Sequence, residues 1–425
     1  MAKQAGKKTA STTTQVDEIF SQLIGEQNVL FPGAAVSGTQ MFSDVKIWVP
    51  TGSAILDTVI SNQAIGGWPC GRVVEVYGQE AIGKSTLAFQ AMANCQKMGG
   101  IPIYFDVEQA GSRDMMKACG VDMNRIIISG LTSIEEIFAA MEQNLTTIIN
   151  SKTYKDKPIF IVLDSLAQMT TDSEVDAGFE NNMNIALAKA KQIGKALRKI
   201  SPFLRKSNAC LYIVNQMRDK PGVMFGDPTT TPGGNAVKFA ASVRIKLQGK
   251  TPVVESDPFA SREWERTVEA WNAECETWKS NGKVGEKPEK PKKPKGDDII
   301  VGYDVTARTD KNKVGPPRRE AEFRIVFSQG IIEEDAWFDY SLKYNIIKKV
   351  SGFEYEFVKH PGLGKFKRDA WTEMLSDVAL HAEVKEIIVG KLIRSVILGA
   401  ETASLSDVDE EHDSEMEEVN ETDEA

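Results

Sequence analysis

Eight short apolar runs alternate with helical stretches between about residues 45 and 330, and this alternation restricts the fold strongly. The runs are RVVEVYG, IPIYFDVEQ, RIIISG, KPIFIVLDS, ACLYIVNQ, SVRIKLQ, YDVTART and EFRIVFS. Nearly continuous apolar runs separated by helices are typical of strands that are covered on both faces. We therefore predict an α/β fold with a mainly parallel, twisted sheet. Ser133 and Glu136 form a capping-box pattern, which predicts one crossover helix.

Length, cysteines and apolar runs limit the class of protein. A chain of 425 residues exceeds one typical core and predicts about two or three domains. The five cysteines include no CxxC pair, which disfavours a disulfide framework or zinc site and indicates a reducing compartment. No apolar run approaches the roughly 20 residues of a membrane span, and the N-terminus lacks the apolar segment of a secretion signal. We expect a cytoplasmic protein with no membrane partner.

Changes in composition divide the chain into five segments: a disordered basic arm, a short N-terminal helix with a linker, the α/β core, a small C-terminal α+β domain and a disordered acidic tail. In that order they are residues 1–15, 16–44, 45–330 with an insertion at 250–298, 331–400 and 401–425. In the second segment Val16, Ile19, Phe20 and Leu23 recur at helical spacing. The C-terminal domain contains one predicted hairpin.

The insertion at 250–298 has two parts of different character. Its first part predicts a helix with a narrow apolar stripe formed by Trp264, Val268, Trp271, Cys275 and Trp278. Its second part, KVGEKPEKPKKPKGDD, alternates Lys and Pro and predicts an extended, solvated segment. Two interpretations remain open: the tryptophans pack on their own domain, or the insertion contacts a partner or DNA.

The acidic tail accounts for the negative net charge of the chain. The chain carries −9, but its last 25 residues hold twelve Asp and Glu and no Lys or Arg, so the remainder carries +3. A disordered polyanion beside the basic residues of 343–368 is expected to compete with duplex DNA for that surface. The alternative is a tail that serves only solubility.

A phosphate-binding motif follows the run RVVEVY and opens a helix. The segment GQEAIGKST matches GxxxxGK[ST] and comprises Gly78, Gln79, Glu80, Ala81, Ile82, Gly83, Lys84, Ser85 and Thr86. Glycines let backbone amides close around phosphate oxygens, and the helix N-terminus adds a partial positive charge. Lys84 is predicted to reach the β- and γ-phosphates, and Ser85 to ligate Mg²⁺.

Two further predicted strands end in acids, at the edge of the sheet where ligands of such folds bind. Asp164 ends PIFIVLD and is the expected partner of the Mg²⁺ shell. Asp106 and Glu108 end IPIYFDVE on one face of the strand. Glu108 lies further beyond the strand, so we predict that it orients and deprotonates water.

Gln216 ends the run LYIVNQ and opens a loop of roughly twenty residues, longer than is usual in a compact domain. A neutral amide can bond to a γ-phosphate and report its presence to the loop. The loop combines glycines for close backbone approach, two cations and two large apolar side chains. These are Gly222, Gly226, Gly233 and Gly234, then Arg218 and Lys220, then Met224 and Phe225. This mixture is typical of single-stranded nucleic acid binding, although a simple flexible lid has a similar composition.

The runs VNQMRDKPGVMFGDPTTTPGGNAVKFAASVR, GRVVEVYGQEAIGKSTLAFQ, YFDVEQA and DKNKVGPP closely resemble the bacterial RecA recombinases and their phage-encoded relatives. The resemblance covers about residues 15–400 outside the insertion. It implies a RecA-like P-loop ATPase core that binds ATP and Mg²⁺ between subunits of a helical filament. It also implies pairing of single-stranded with double-stranded DNA, and makes single-strand-binding or mediator proteins candidate partners.

The same resemblance implies roles for individual residues. Glu108 would activate water, and Gln216 would sense the γ-phosphate. The second DNA loop would span roughly Met217–Asn235, and Asn235 would contact DNA. The first DNA loop would lie within Thr171–Leu187. The residues expected to reach the nucleotide of the adjacent subunit are Lys238, Phe239, Lys311 and Lys313. The N-terminal helix would dock on a neighbouring subunit.

The chain also departs from the family pattern. EQAGSRDMM stands where many relatives have EHALDPIYA, so the aromatic residue expected near adenine is replaced around Met115. Pro221 stands where the family has a β-branched residue that enters between base triplets. Lys189 and Lys191 are weaker DNA candidates, because the first loop is slightly longer than usual. A ring helicase and an ATP-gated single-strand coat without pairing activity remain alternative functions.

Overall fold

The eight apolar runs that predict strands all lie in one nine-stranded sheet. The computed structural model describes residues 5–31, 35–37, 44–154, 156–172, 174, 183–219, 229–255, 258–283, 286–291, 299–327 and 329–397. In chain order the strands are β1 (Trp48–Val49), β2 (Trp68–Pro69), β3 (Val73–Gly78), β4 (Ile101–Asp106), β5 (Ile127–Ser129), β6 (Ile159–Asp164), β7 (Ala209–Gln216), β8 (Arg218–Asp219), β9 (Thr229–Thr230), β10 (Val243–Glu255), β11 (Ile299–Asn312), β12 (Glu320–Val326), β13 (Gly330–Ile332), β14 (Ile347–Ser351) and β15 (Glu354–Phe357).

The sheet is mainly parallel, as predicted. Its order is β13-β12-β11-β10-β3-β7-β6-β4-β5, and the six strands from β10 to β5 run parallel. The strands β11, β12 and β13 extend the sheet by antiparallel pairing. Because parallel strands end at one edge, Gly78 lies opposite Gln216 and Asp106 lies opposite Asp164.

Helices cover both faces of the sheet. In chain order, those with described bounds are α1 (Ala5–Leu30), α2 (Ala54–Ser61), α3 (Lys84–Lys97), α4 (Arg113–Ala118), α5 (Ile134–Asn150), α6 (Met183–Lys206), α7 (Gly234–Ala240), α8 (Pro258–Ser280), α9 (Glu334–Lys343), α10 (Trp371–Met374) and α11 (Val378–Ile397). Strand side chains alternate, so Val74 and Val76 join one hydrophobic cluster and Val73 joins the other. None of the described helices has the length and apolar character to cross a membrane.

Two local predictions near helix starts are corrected. The helix α1 begins at Ala5, so residues 5–15 are helical and not a disordered arm. These residues contain no proline, and extending a helix costs far less free energy than nucleating one. The helix α5 does begin after Ser133, but the predicted capping box is not formed. The Ser133 hydroxyl instead donates to the carboxylates of Asp172 and Glu135, at 2.6 and 3.0 Å, because charged acceptors form the stronger bonds.

The insertion begins later than predicted, because the hairpin of β10 and β11 continues to the pair Glu255 and Ile299. β-branched residues at both ends, TPVV and IIV, favour this extension. The first part is the predicted helix, α8, and its five stripe residues are half-buried among exposed neighbours. Residues 286–291 of the Lys/Pro segment lie against this stripe, where the Trp271 indole N–H donates to the Pro288 carbonyl at 3.2 Å.

The C-terminal segment combines helices α9 to α11 with the hairpin of β14 and β15, which turns at Gly352. Its large side chains Trp337, Phe338, Phe357 and Trp371 belong to the same hydrophobic cluster as strand β3. The described residues from Ile47 onward therefore pack as one compact unit, and residues 5–31 with 35–37 belong to another. The acidic tail, 401–425, lies outside the described residues.

Candidate functional site

The phosphate loop lies where strand β3 ends and helix α3 begins. Gly83 precedes α3 in the left-handed region, with φ of 91°, and a Cβ there would lie 2.7 Å from the Ile325 side chain. A Cβ on Gly78 would lie 2.4 Å from the Leu247 carbonyl oxygen. Both glycines of the motif are therefore required by close packing, and Gly83 also by its positive φ. Gln79, Glu80 and Ala81 are exposed, whereas Ile82 packs into the core and Thr86 is buried.

Lys84 places a buried cation inside this loop. Its ammonium donates to the carbonyl oxygens of Gly78, at 3.4 Å, and Gln79. Burial lowers the pKa of Lys84, while nearby carboxylates, with Asp164 the strongest, oppose that shift. An anion placed at the loop would compensate the charge that burial disfavours.

Ser85 and Asp164 come together from α3 and β6. The Ser85 hydroxyl donates to Asp164 Oδ2 at 2.7 Å, and the Tyr104 hydroxyl donates to the same oxygen at 3.1 Å. Burial raises the pKa of Asp164, and these two hydrogen bonds oppose the shift. Mg²⁺ in phosphate sites is held by one or two protein oxygens together with phosphates and water. The hydroxyl and the carboxylate therefore fit this ion.

The two acids beyond strand β4 have different surroundings. The Asp106 carboxylate accepts from the backbone N–H groups of Ala110, at 3.2 Å, and Gly111, at 3.0 Å, and so closes the turn after the strand. Glu108 is exposed and accepts a hydrogen bond from the Ser165 hydroxyl. Of these two acids, Glu108 is the more exposed.

A cavity of about 330 Å³ joins these groups. Its polar lining includes Lys84, Ser85, Asp106, Glu108 and Asp164, and the other lining residues include Phe89, Tyr104, Met115 and Phe327. Met115 lies in the wall, in the region where the sequence indicated a changed base contact. The aromatic residues Phe89 and Phe327 were missed, and the available signal for Phe327 was its place directly after the run RIV.

Gln216 connects this edge of the sheet to the long loop. It is half-buried opposite Gly78, and the next residue, Met217, donates its N–H to the Gly78 carbonyl at 3.2 Å. A short ladder of β8 and β9, in which Arg218 pairs with Thr230, closes the base of the loop. The loop returns at Gly233, in the left-handed region with φ of 84°, and enters helix α7.

The predicted DNA-binding residues are only partly described. Arg218, Gly234 and Asn235 are exposed, and Gly233 is half-buried. Lys220, Pro221, Gly222, Met224, Phe225 and Gly226 lie outside the described residues, as do positions 175–182 of the first loop. Lys191 is exposed, and the Lys189 ammonium lies 4.0 Å from the Glu174 carboxylate.

Lys238, Phe239, Lys311 and Lys313 form a separate surface. The Lys311 ammonium donates to the carbonyl oxygens of Lys238 and Phe239, at the end of α7. Burial lowers the pKa of Lys311, and the positive charges of Lys313 and Arg244 add to this effect. Lys313 is exposed, and the Phe239 ring is 75% exposed.

This lysine surface lies away from the phosphate loop of the same chain. Lys311 pairs with Arg244 near the start of β10, whereas Leu247 of the same strand is the neighbour of Gly78. In this chain the Lys311 ammonium is directed to α7 and not to the phosphate loop. The structure therefore brings the four residues together, but not with their own chain's cavity.

Comparisons with known proteins agree with this geometry. The family model described as the RecA N-terminal domain matches residues 26–269. The protein RecA of Porphyromonas gingivalis is 33% identical over 360 residues, which cover 84% of this chain and 88% of the relative. The RecA of Sulfurimonas denitrificans is 34% identical over 363 residues, 85% and 89% of the two chains, and that of Borrelia duttonii is 33% identical over 337 residues, 79% and 78%.

Proposed function

The chain belongs to the RecA family, and from this premise we propose that it is an ATP-dependent recombinase that forms helical filaments on single-stranded DNA and catalyses homologous pairing and strand exchange. The observation that carries the proposal is that a nucleotide-type cavity and the long loop lie at the same edge of the sheet. The nucleotide-type cavity holds Lys84, Asp164 and Glu108, and Gln216 opens the long loop beside it.

In the proposed reaction, Lys84 holds the β- and γ-phosphates of ATP, and the base lies toward Met115 and Phe327. Ser85 and Asp164 would hold Mg²⁺, which neutralises charge on the phosphate oxygens. Glu108 orients water and takes its proton, because its carboxylate is exposed at the mouth of the cavity. Gln216 bonds to the γ-phosphate and transmits its presence to Met217–Asn235, the proposed DNA loop.

Two surfaces support a filament. Lys238, Phe239, Lys311 and Lys313 lie away from their own phosphate loop, so we propose that they complete the site of a neighbouring subunit. On α1 the apolar residues Ile19, Phe20 and Leu23 are 59, 53 and 59% exposed. An exposed apolar stripe of this kind favours docking of α1 on another subunit.

The test is a pairing assay with the purified full chain, single-stranded DNA and duplex DNA. We expect joint molecules with homologous duplex and ATP, none with heterologous duplex, and none with Lys84→Ala. Unwinding of a forked duplex without joint molecules would support the ring helicase instead. ATP-dependent coverage of single strands without joint molecules would support the coat.

A further inference from the structure

A stripe of polar side chains crosses four neighbouring strands on one face of the sheet. We call it the polar stripe, and its members are Asn215 on β7, Glu75 and Tyr77 on β3, Arg244 on β10 and Asp310 on β11. The Glu75 and Asn215 side chains are fully buried, and Tyr77 is 5% exposed. On strands β3 and β7 the stripe lies beside the buried apolar residues Val73 and Ile213 of the same face, and the nucleotide chemistry described above does not use it.

One end of the polar stripe meets both the γ-phosphate sensor and the returning end of the DNA loop. The Asn215 side-chain amide donates to Glu75 Oε1 at 2.8 Å and to the Pro232 carbonyl at 3.0 Å. Its oxygen accepts the backbone N–H of Gln216 at 3.0 Å. The amide thus uses both donors and its acceptor, and a shift of Gln216 or Pro232 must disturb the bond to Glu75.

The other end reaches the strand that carries the lysine surface. Arg244 pairs with the second oxygen of Glu75, and its guanidinium lies 4.6 Å from the centre of the Tyr77 ring. The Tyr77 hydroxyl donates to Asp310, which also pairs with Arg308. Asp310 is the extra residue of a β-bulge, since Arg244 pairs with Lys311 and Ile245 with Thr309. A bulge redirects a side chain, and here Lys311 follows directly.

Stability alone does not account for such a stripe. A buried ion pair loses most of its Coulombic gain to desolvation, and an apolar replacement of similar volume is often as stable. Hydrogen-bonded chains of buried groups are instead sensitive to small displacements of any member. Burial raises the pKa of Tyr77 well above its usual range, so its hydroxyl stays protonated and remains a donor.

We propose that the polar stripe is a positioning network that couples Gln216 and the DNA loop to Lys311 and Lys313 across four strands. The inference rests on the proposed function, because it needs ATP at the cavity and single-stranded DNA at the loop. None of its members lines the cavity, so they act by holding the neighbouring strand ends in place. Tyr77 and Asp310 are the positioning residues that can be changed with least disturbance.

The experiment compares Tyr77→Phe and Asp310→Asn with the parent chain. For each protein, the affinity for single-stranded DNA is measured with and without a non-hydrolysable ATP analogue, and the ratio of the two affinities is taken. Coupling between sites typically amounts to about 5- to 150-fold. We expect each variant to lower the ratio at least about fivefold, whereas affinity for the analogue without DNA changes less than about twofold.

Three controls separate coupling from folding. Asp304 lies on the same strand as Asp310 but outside the stripe, so Asp304→Asn, which removes an ion pair with Arg324 of β12, should keep the parent ratio. Asp310→Glu retains the carboxylate and should restore part of the ratio. The double variant Tyr77→Phe with Asp310→Asn should lower the ratio no further than the stronger single variant, because both changes weaken the same contact between Tyr77 and Asp310.

The possible outcomes distinguish a failure of the proposed coupling role from a failure of the proposed function. If the analogue raises the DNA affinity of the parent chain and the variants keep the same ratio of affinities, the coupling role of the polar stripe is wrong and the proposed function stands. If the analogue does not change the DNA affinity of the parent chain, both the coupling role and the proposed function are wrong. A drop in the ratio for Asp304→Asn as large as for Asp310→Asn would also overturn the inference, because the loss would then not be specific to the stripe.

Discussion

Asp106 and Glu108 stand two residues apart, and their hydrogen bonds give them different roles. Asp106 holds a turn by accepting two backbone N–H groups, whereas the more exposed Glu108 accepts the Ser165 hydroxyl, and both side chains line the cavity. The more exposed carboxylate, that of Glu108, is therefore the general base that we propose.

Glu108→Gln should keep ATP binding and lower turnover on single-stranded DNA about 100-fold or more, because a neutral amide cannot take a proton from water. Steady-state hydrolysis and analogue binding would be measured on the same preparations. Glu136→Gln, an exposed acid on α5, is the matched control and should leave both values unchanged. Normal turnover in Glu108→Gln would assign the base to another group.

Asp57 is a residue whose protonation should affect folding. Its carboxylate lies inside the protein, although the residue is partly exposed, and burial raises its pKa from 3.8 to about 7. The Thr51 N–H bond, at 2.7 Å, and Lys385 oppose this shift, and Glu333 adds to it. Between about pH 4 and pH 7 the folded state holds a proton that the unfolded state has released. The free energy of unfolding therefore falls as the pH rises through this window.

Asp57→Asn keeps an oxygen for the Thr51 N–H and removes the buried charge. At pH 8 we expect the variant to be more stable than the parent by on the order of 2 kcal/mol, with a flatter dependence on pH between 5 and 8. Denaturant unfolding at several pH values measures both. The exposed acid Asp369→Asn serves as control. A variant that parallels the parent at every pH would contradict the assignment.

At the scale of elements, the insertion is a helix paired with a proline-containing segment. Pro288 and Pro291 are half-buried while Lys287, Glu289 and Lys290 are exposed. A spacing of three matches the period of polyproline II, so the prolines share one face and lie along the apolar stripe of α8. This contact supports the interpretation in which the tryptophans pack within their own chain.

Trp271→Phe should loosen that contact, because it removes the indole N–H bonded to the Pro288 carbonyl. The loss of about 1 kcal/mol would speed local opening roughly fivefold. A glutamyl endopeptidase that cleaves after Glu286 or Glu289 reports this opening as a cleavage rate. Trp264→Phe on the same stripe is the matched control and should change the rate less. Equal rates in parent and Trp271→Phe would show that the segment does not depend on this bond.

At the scale of the whole molecule, one chain carries on separate surfaces the two groups of residues that we propose to be halves of one site. The phosphate loop lies at the carboxyl edge, and the lysine surface lies near the start of β10. The two surfaces can meet when copies of the chain associate head to tail. Repeated head-to-tail contacts generate a helical filament if the rotation between subunits does not close into a ring.

Complementation between inactive variants tests this arrangement. Lys84→Ala and the double change Lys311→Ala with Lys313→Ala should each abolish most hydrolysis. An equal mixture should recover up to about a quarter of the parent rate, because one in four random head-to-tail interfaces joins an intact loop to intact lysines. No recovery, in mixtures shown to form joint filaments, would favour a site completed within one chain.

The sequence by itself determined the features that depend on neighbouring residues. The eight strands, the phosphate loop with Lys84 and Ser85, the acid Asp164 and the start of α5 follow from local apolar runs and turn residues, whose signals span few positions. It also marked Met115 as a change in the base region. The extent of α1 was missed, because helix propagation through Ser and Thr depends on the helix already formed.

Only the tertiary structure decided which distant residues meet. The polar stripe joins positions 75, 215, 244 and 310 through strand order and a β-bulge, and Phe327 reaches the cavity from strand β12's end. The sequence already predicted different roles for Asp106 and Glu108, but only the structure shows the two backbone N–H groups that Asp106 accepts. Pairing between strands is non-local, so the apolar pattern of one strand does not identify which strands become its neighbours.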